Sequence, residues 1–207
     1  PTLWLNSSTA TIYRHALDKA MDEETGEIGG NEPDAPVAWR FSIDVAKAWE
    51  KAFFTAEVPC TRRIALRSAV VMSKTPGGPF ALLGKLVHLG LGGTAGSGNQ
   101  FISWIHEADW IRALEFLMDR KDIDGCVNLS APNPLPNRDF MRELRRASGI
   151  PIGLPAPELI LAAAAFFMRT ETELILKSRR VVPTRLLEAG FVFKYPDWRD
   201  ASAELVQ

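Results

Sequence analysis

Three short apolar runs set the limits on what this chain can fold into. Thr2-Leu3-Trp4-Leu5-Asn6-Ser7-Ser8-Thr9, Arg63-Ile64-Ala65-Leu66-Arg67-Ser68-Ala69-Val70-Val71 and Gly125-Cys126-Val127-Asn128-Leu129-Ser130 all have strand length. The second and third are apolar almost throughout instead of alternating, as strands covered on both faces of a parallel sheet are. Between and after them the spacing turns helical. Helices are predicted over Trp39 to Ala56, Phe80 to Leu89, Ala108 to Asp119, Asn137 to Gly149, Pro157 to Lys177 and Pro183 to Ala189. A further short strand is expected at Gln100 to Ile105. Strands alternating with helices predict an α/β fold built on a parallel sheet.

Local chemistry supports the boundaries. Pro33 and Pro36 precede the first helix, on which Phe41, Val45, Ala48 and Ala52 fall at helical spacing as the expected buried face. Asn137 can cap the fourth helix at its amino end, with Asp139 in the first turn, and Gly149 suits its carboxyl end. Asp109 stands where the positive end of its helix favours a carboxylate. Tyr13 to Gly30 is polar and acidic and reads as a surface loop.

Composition narrows the function classes. At 207 residues, with 46% hydrophobic and 24% charged residues, the chain is long enough for a proper core and ordinary for a globular protein. A formal net charge of -1 argues against a dedicated nucleic-acid binder. Two cysteines far apart, Cys60 and Cys126, provide no disulfide framework and suit a reducing cytoplasm. His15, His88 and His106 are scattered, so no metal site is expected. The apolar stretch Leu159 to Met168 falls short of the ~20 residues a membrane span needs, so no membrane association is expected.

Gly90-Leu91-Gly92-Gly93-Thr94-Ala95-Gly96-Ser97-Gly98 is not a dinucleotide fingerprint. That motif needs a strand before it and a helix after it, so that amides and dipole point at the pyrophosphate. Here the order is reversed, and Ala95 stands where the third glycine belongs. A tight turn or the rim of a substrate cleft is the better reading.

Several segments together resemble one branch of the extended short-chain dehydrogenase/reductases, the NAD-dependent epimerase/dehydratase type. They are Asn6-Ser7-Ser8-Thr9-Ala10-Thr11-Ile12-Tyr13, then Leu66 to Val71, and Leu89 to Gln100 leading into Ser103-Trp104-Ile105-His106-Glu107-Ala108-Asp109. Asn128-Leu129-Ser130-Ala131-Pro132-Asn133-Pro134 and Arg185-Leu186-Leu187-Glu188-Ala189-Gly190-Phe191 complete the set. The resemblance implies the C-terminal part of a Rossmann-like doubly wound parallel sheet plus a small, mainly helical substrate lobe. Residues 1–75 and 106–132 would form the second half of the Rossmann-like domain, and 76–105 with 133–207 the lobe. It also implies NAD or NADP as cofactor and a nucleotide-sugar or similar small molecule as substrate. The cofactor-binding front end would precede the equivalent of Pro1.

Site residues follow from the same resemblance. In this superfamily a serine or threonine holds the substrate oxygen, a tyrosine moves the proton, and a lysine four residues on lowers the tyrosine pKa. Ser8 and Thr9 match the hydroxyl position; their alternative role is to cap a strand-to-loop turn. Arg67, Ser68 and Ala69 match the strand that passes the nicotinamide; Arg67 could meet a phosphate or a carboxylate there, and an ion pair at a sheet edge is the reading favoured over it. Tyr13, Arg179 and Arg180 are the candidate substrate contacts. For the basic cluster Lys177, Arg179 and Arg180, the alternative is a solvated face paired with Glu171 and Glu173. His106 reads as a hydrogen-bonded packing histidine.

The tyrosine–lysine pair is missing, since Phe41 and Val45 occupy its places. An oxidoreductase is therefore weighed against a catalytically silent binding or regulatory module on the same fold. An uncovered strand Leu3 to Asn6 would leave the isolated chain oligomeric or unstable.

Overall fold

The computed structural model describes residues 1–32, 37–155 and 177–207. Pro33, Pro36 and all but the last residue of the predicted helix Pro157 to Lys177 lie outside them. In chain order the elements are β1 (Leu3–Thr9), α1 (Val37–Thr55), β2 (Arg62–Ser68), β3 (Val70–Met72), α2 (Pro79–His88), β4 (Phe101–Ile102) and β5 (Trp104–His106). They continue with α3 (Glu107–Asp119), β6 (Gly125–Leu129), β7 (Leu135–Pro136), α4 (Asn137–Ala147), α5 (Thr184–Glu188) and α6 (Trp198–Val206).

The three apolar runs form one parallel sheet in the order β1-β2-β6. β2, the most continuously apolar run, is its centre. Two small ribbons flank it, β3 paired parallel with β5 and β4 paired antiparallel with β7. The run expected as one strand over 63–71 is thus split at Ala69, whose N–H bonds to the carbonyl of Leu129 on β6.

Strand period decides what each sheet face carries. Leu3, Leu5, Ile64, Leu66, Val127 and Leu129 point to one face and pack beneath α3 and α5 with Ala113, Leu117 and Leu186. Burial of these side chains is the main hold on the sheet, at about 1.5–3 kcal/mol for each large aliphatic group. A second cluster joins α2, α4 and α6 through Phe80, Phe140, Leu144 and Trp198. There Trp198 stacks on Phe140 with ring centroids 3.9 Å apart and meets Trp104 edge-on at 4.9 Å.

Three expectations are corrected. The buried face of α1 is Trp39, Ile43, Ala46, Glu50 and Phe53, while Phe41, Ala48 and Ala52 are exposed. Both faces carry apolar residues at helical spacing, and the sheet selects the one with the larger side chains. Tyr13 to Gly30 is no simple surface loop: Tyr13, Ala16 and Met21 are buried in a third cluster with Ala10, Ile12 and Val181. Asn137 is the first residue of α4 and not its cap. Its Oδ1 accepts from the N–H of Ala95, tying the helix start to the glycine loop at 2.8 Å. Gly149 behaves as expected, with φ +68° just past α4, where a side chain would be strained.

Candidate functional site

On the sheet face opposite the apolar cluster, register lines up Ser8, Arg67 and Asn128 across the three strands. α1 lies over this row and lowers Glu50 onto it. The Glu50 carboxylate accepts from Arg67 twice, Nε at 2.8 Å and Nη2 at 2.7 Å, and from Ser8 Oγ at 2.7 Å. Such a two-pronged arginine–carboxylate pair is the strongest form of this contact. Arg67 Nη1 donates to the Tyr13 hydroxyl at 2.9 Å, which in turn lies 2.9 Å from Asn128 Oδ1 and 3.0 Å from the Asp22 carbonyl. Cys126 Sγ lies 3.7 Å from Glu50. Ser8, Glu50, Arg67, Tyr13 and Asn128 are all buried.

Burial by itself would push the Glu50 carboxyl up, but the bonds from Arg67 and Ser8 outweigh it and hold it below the usual carboxylate range. Burial pushes the Tyr13 phenol up, against the opposing charge of Arg67. The Cys126 thiol is pushed up to about 11, first by burial and then by the neighbouring carboxylate. Glu50 is therefore ionised, Tyr13 is a poor proton donor, and Cys126 is no nucleophile at neutral pH.

This arrangement separates the sequence candidates. The Ser8 hydroxyl donates its hydrogen bond to Glu50 and faces the buried network. Thr9, the next residue, sits at the carboxyl end of β1 beside Ser68 in register, and its Oγ1 accepts from the N–H of Thr11 at 3.1 Å. That bond uses a lone pair, so the half-buried Thr9 hydroxyl keeps its proton to donate. Arg67 sits mid-sheet in a buried ion pair, not at an edge. Ser68 Oγ accepts from Trp110 Nε1 at 3.1 Å.

Tyr13 is fully buried and far from Arg179 and Arg180 in role: its bonds all run to the sheet row and the Asp22 carbonyl. Arg179 is buried, with its carbonyl accepting from Ser103 and its N–H bonding to Phe101. The Arg180 guanidinium lies 4.7 Å over the Phe101 ring. Lys177, also buried, donates to the Thr11 carbonyl at 2.8 Å. Two of these three cations are thus not on the solvated face considered from the sequence, and Glu171 and Glu173 lie outside the described residues. His106 is a packing residue: Nδ1 accepts from Ala108, Nε2 meets Glu204 at 2.9 Å, and the ring stacks on Tyr195 at 4.1 Å.

Sequence reasoning missed Glu50 and Asn128. An isolated glutamate on a helix reads as a surface charge; its one signal is that it falls in step with Trp39, Ile43, Ala46 and Phe53.

A dinucleotide would need a strand, a glycine turn and a helix in that order, to bring free amides to its pyrophosphate. Among the described residues no strand is followed by that turn. β1 runs into a three-residue 3-10 turn, and β2 runs through Ala69 into β3. These residues do not by themselves fit the group's phosphates. No set of three or more His, Cys, Asp or Glu among them is grouped to hold a metal ion, and no helix among them is long and apolar enough to cross a membrane.

Parallel strands bearing hydroxyls at their carboxyl ends, with helices on both sheet faces, define an α/β protein with the fold of the NAD-dependent epimerases among the short-chain dehydrogenase/reductases. The chain is similar to the mouse epimerase family protein SDR39U1, with 30% identity over all of this chain and 66% of the relative. It superposes on the crystal structure of human SDR39U1 (isoform 2) with NADPH at a TM-score of 0.81 and 27% identity, over all of this chain and 65% of that one. A nucleoside-diphosphate sugar epimerase from Corynebacterium glutamicum matches at a TM-score of 0.74 and 27% identity, over 99% of this chain and 37% of its own. Residues 156–205 match a family described as a domain of unknown function, DUF1731. The chain thus spans just under two thirds of the length of the mouse relative.

Proposed function

We propose that this chain is the substrate-side part of an NAD(P)-dependent epimerase- or dehydratase-like oxidoreductase acting on a nucleotide-sugar or similar small molecule. The observation that carries the reading is the row Thr9 and Ser68 at the carboxyl ends of adjacent parallel strands, the edge where open α/β sheets take their ligands. Thr9 supplies the hydrogen bond to a substrate oxygen. Ser8, Glu50, Arg67 and Tyr13 hold that strand end rigid from below. Residues 1–75 and 106–132 act as the second half of a Rossmann-like domain, and 76–105 with 133–207 as the substrate lobe. The phosphate grip for NAD(P) belongs to residues outside this chain, in keeping with the greater length of the relatives.

The test is a fluorescence titration of NADPH and NADH against this chain and against the protein extended by its upstream coding region. Micromolar binding by the extended protein alone is the expected result. Equal, tight binding by these 207 residues would show that the grip lies within them. Binding by neither would favour a second reading, a catalytically silent module. One observation speaks for that alternative. Of the two tyrosines, Tyr13 is sealed beneath Arg67 and Tyr195 stacks on His106, so neither stands on α1 with a lysine one turn away.

A further inference from the structure

The loop after α2 and the turn after α4 are clasped backbone to backbone. The Leu154 N–H donates to the Gly90 carbonyl at 2.7 Å, and the Gly93 N–H to the Leu154 carbonyl at 3.1 Å. The two segments lie so close that a side chain at Gly153 would collide with the backbone of Gly92 and Gly93. This clasp and the outer face of α2 together expose Leu82, Leu89, Leu91, Ile152 and Leu154, with Leu89 at 72% and Ile152 at 70%. An apolar patch of this kind on a protein surface marks an interaction site.

The rim of the patch is cationic. Lys85 is exposed on the same helix face, one turn from both Leu82 and Leu89. From α4, Arg145 reaches across to donate to the Gly92 carbonyl at 2.6 Å. From Val58 to His106 and from Leu144 to Pro155 the sequence holds no aspartate or glutamate. The carboxylates of α4, Asp139 and Glu143, both lie against Arg142. The patch is also purely aliphatic. Among the described residues, the exposed aromatic side chains Trp4, Phe41 and Trp49 belong to β1 and α1. A protein partner is met chiefly through aromatic anchors, with leucine under-represented. Aliphatic side chains within a basic rim suit a bilayer, where leucines enter the acyl boundary and cations meet anionic headgroups.

We propose that this face rests on an anionic lipid surface, with Leu89 and Ile152 dipping below the headgroups and Lys85 among them. Such contact needs no spanning helix, and it does not depend on the cofactor reading. The test is co-sedimentation of the full chain with vesicles of phosphatidylglycerol and phosphatidylcholine in equal parts. Wild-type protein is expected to pellet with them, and much less with phosphatidylcholine alone or when salt is raised to about 1 M. Lys85→Glu should weaken binding about tenfold or more. Leu89→Ser/Ile152→Ser should abolish it with unchanged circular dichroism, since both positions are exposed. Val192→Ser, equally exposed but beside the sheet's own apolar cluster, should bind as wild type. Failure to pellet with the mixed vesicles would overturn the proposal and leave the face to a protein partner. Pelleting indifferent to lipid charge, or to the paired serine substitutions, would overturn it as well.

Discussion

Removing the Glu50 side chain tests whether the buried row is held by charge pairing. Glu50→Ala deletes four hydrogen bonds, two from Arg67, one from Ser8 and a weak one from the Cys126 thiol, and leaves the buried Arg67 with no counter-charge. An unpaired charge at such a site costs about 3–5 kcal/mol. For a chain of this size that corresponds to a fall in Tm of roughly 6–20 °C. The comparison variant is Glu50→Leu/Arg67→Met, which removes both charges and keeps the volume; it should recover most of the loss, because no buried charge is stranded. Glu50 also makes stability depend on pH. Its folded-state pKa lies below the unfolded one, so the pair's contribution is fully present above the ordinary glutamate value of about 4.3. It is lost as pH falls through the lower folded value. Urea denaturation from neutral to acid pH reads both effects. If Glu50→Ala lay within about 1 kcal/mol of wild type, or the double variant were as unstable as the single one, the loss would be one of packing and the charge argument would fail.

Three further outcomes are expected. Iodoacetamide at about pH 8 should label the native protein once, at exposed Cys60, and twice after unfolding, because the Cys126 thiol is held near 11; two labels on the native chain, counted by mass spectrometry, would contradict this. Asp109→Asn should cost about 1–3 kcal/mol in guanidinium melts, since the fully buried carboxylate accepts from the N–H groups of Lys194 and Tyr195 and an amide nitrogen cannot. Gly149→Ala should cost about 1–2 kcal/mol by strain alone, because φ is +68° and no neighbouring atom crowds the site.

The elements that the sequence made legible are those where one physical signal acts alone. The apolar Ile64-Ala65-Leu66 at the centre of β2 reads as a buried strand, and Gly149 and Gly190 mark helix ends because the left-handed turn there favours glycine. Where two signals compete, the reading slips. α1 carries two apolar faces, and periodicity cannot choose between Phe41-Val45-Ala48 and Trp39-Ile43-Ala46; only the sheet does. Tyr13 to Gly30 is polar in composition, yet Tyr13, Ala16 and Met21 pack into the core while Leu17 and Ile28 stay exposed. For the site, the chain distance between Ser8, Glu50, Arg67 and Asn128 hid a row that exists only once the strands are in register. Ser8 and Thr9 look equivalent as letters; which of them keeps a free proton is decided by Glu50, 42 positions from Ser8.

The aromatic stack around Trp198 has a consequence for how the chain is made. β1, β2 and β6 are all complete by Leu129, so the sheet can assemble while synthesis continues. Phe140 and Trp104 cannot: the ring that covers both, and the indole N–H that bonds to the Phe140 carbonyl at 2.9 Å, arrive only with residue 198. Until then a nascent chain carries a finished sheet beside an open aromatic wound. Apolar surface left open over such an interval is the kind that promotes aggregation during folding.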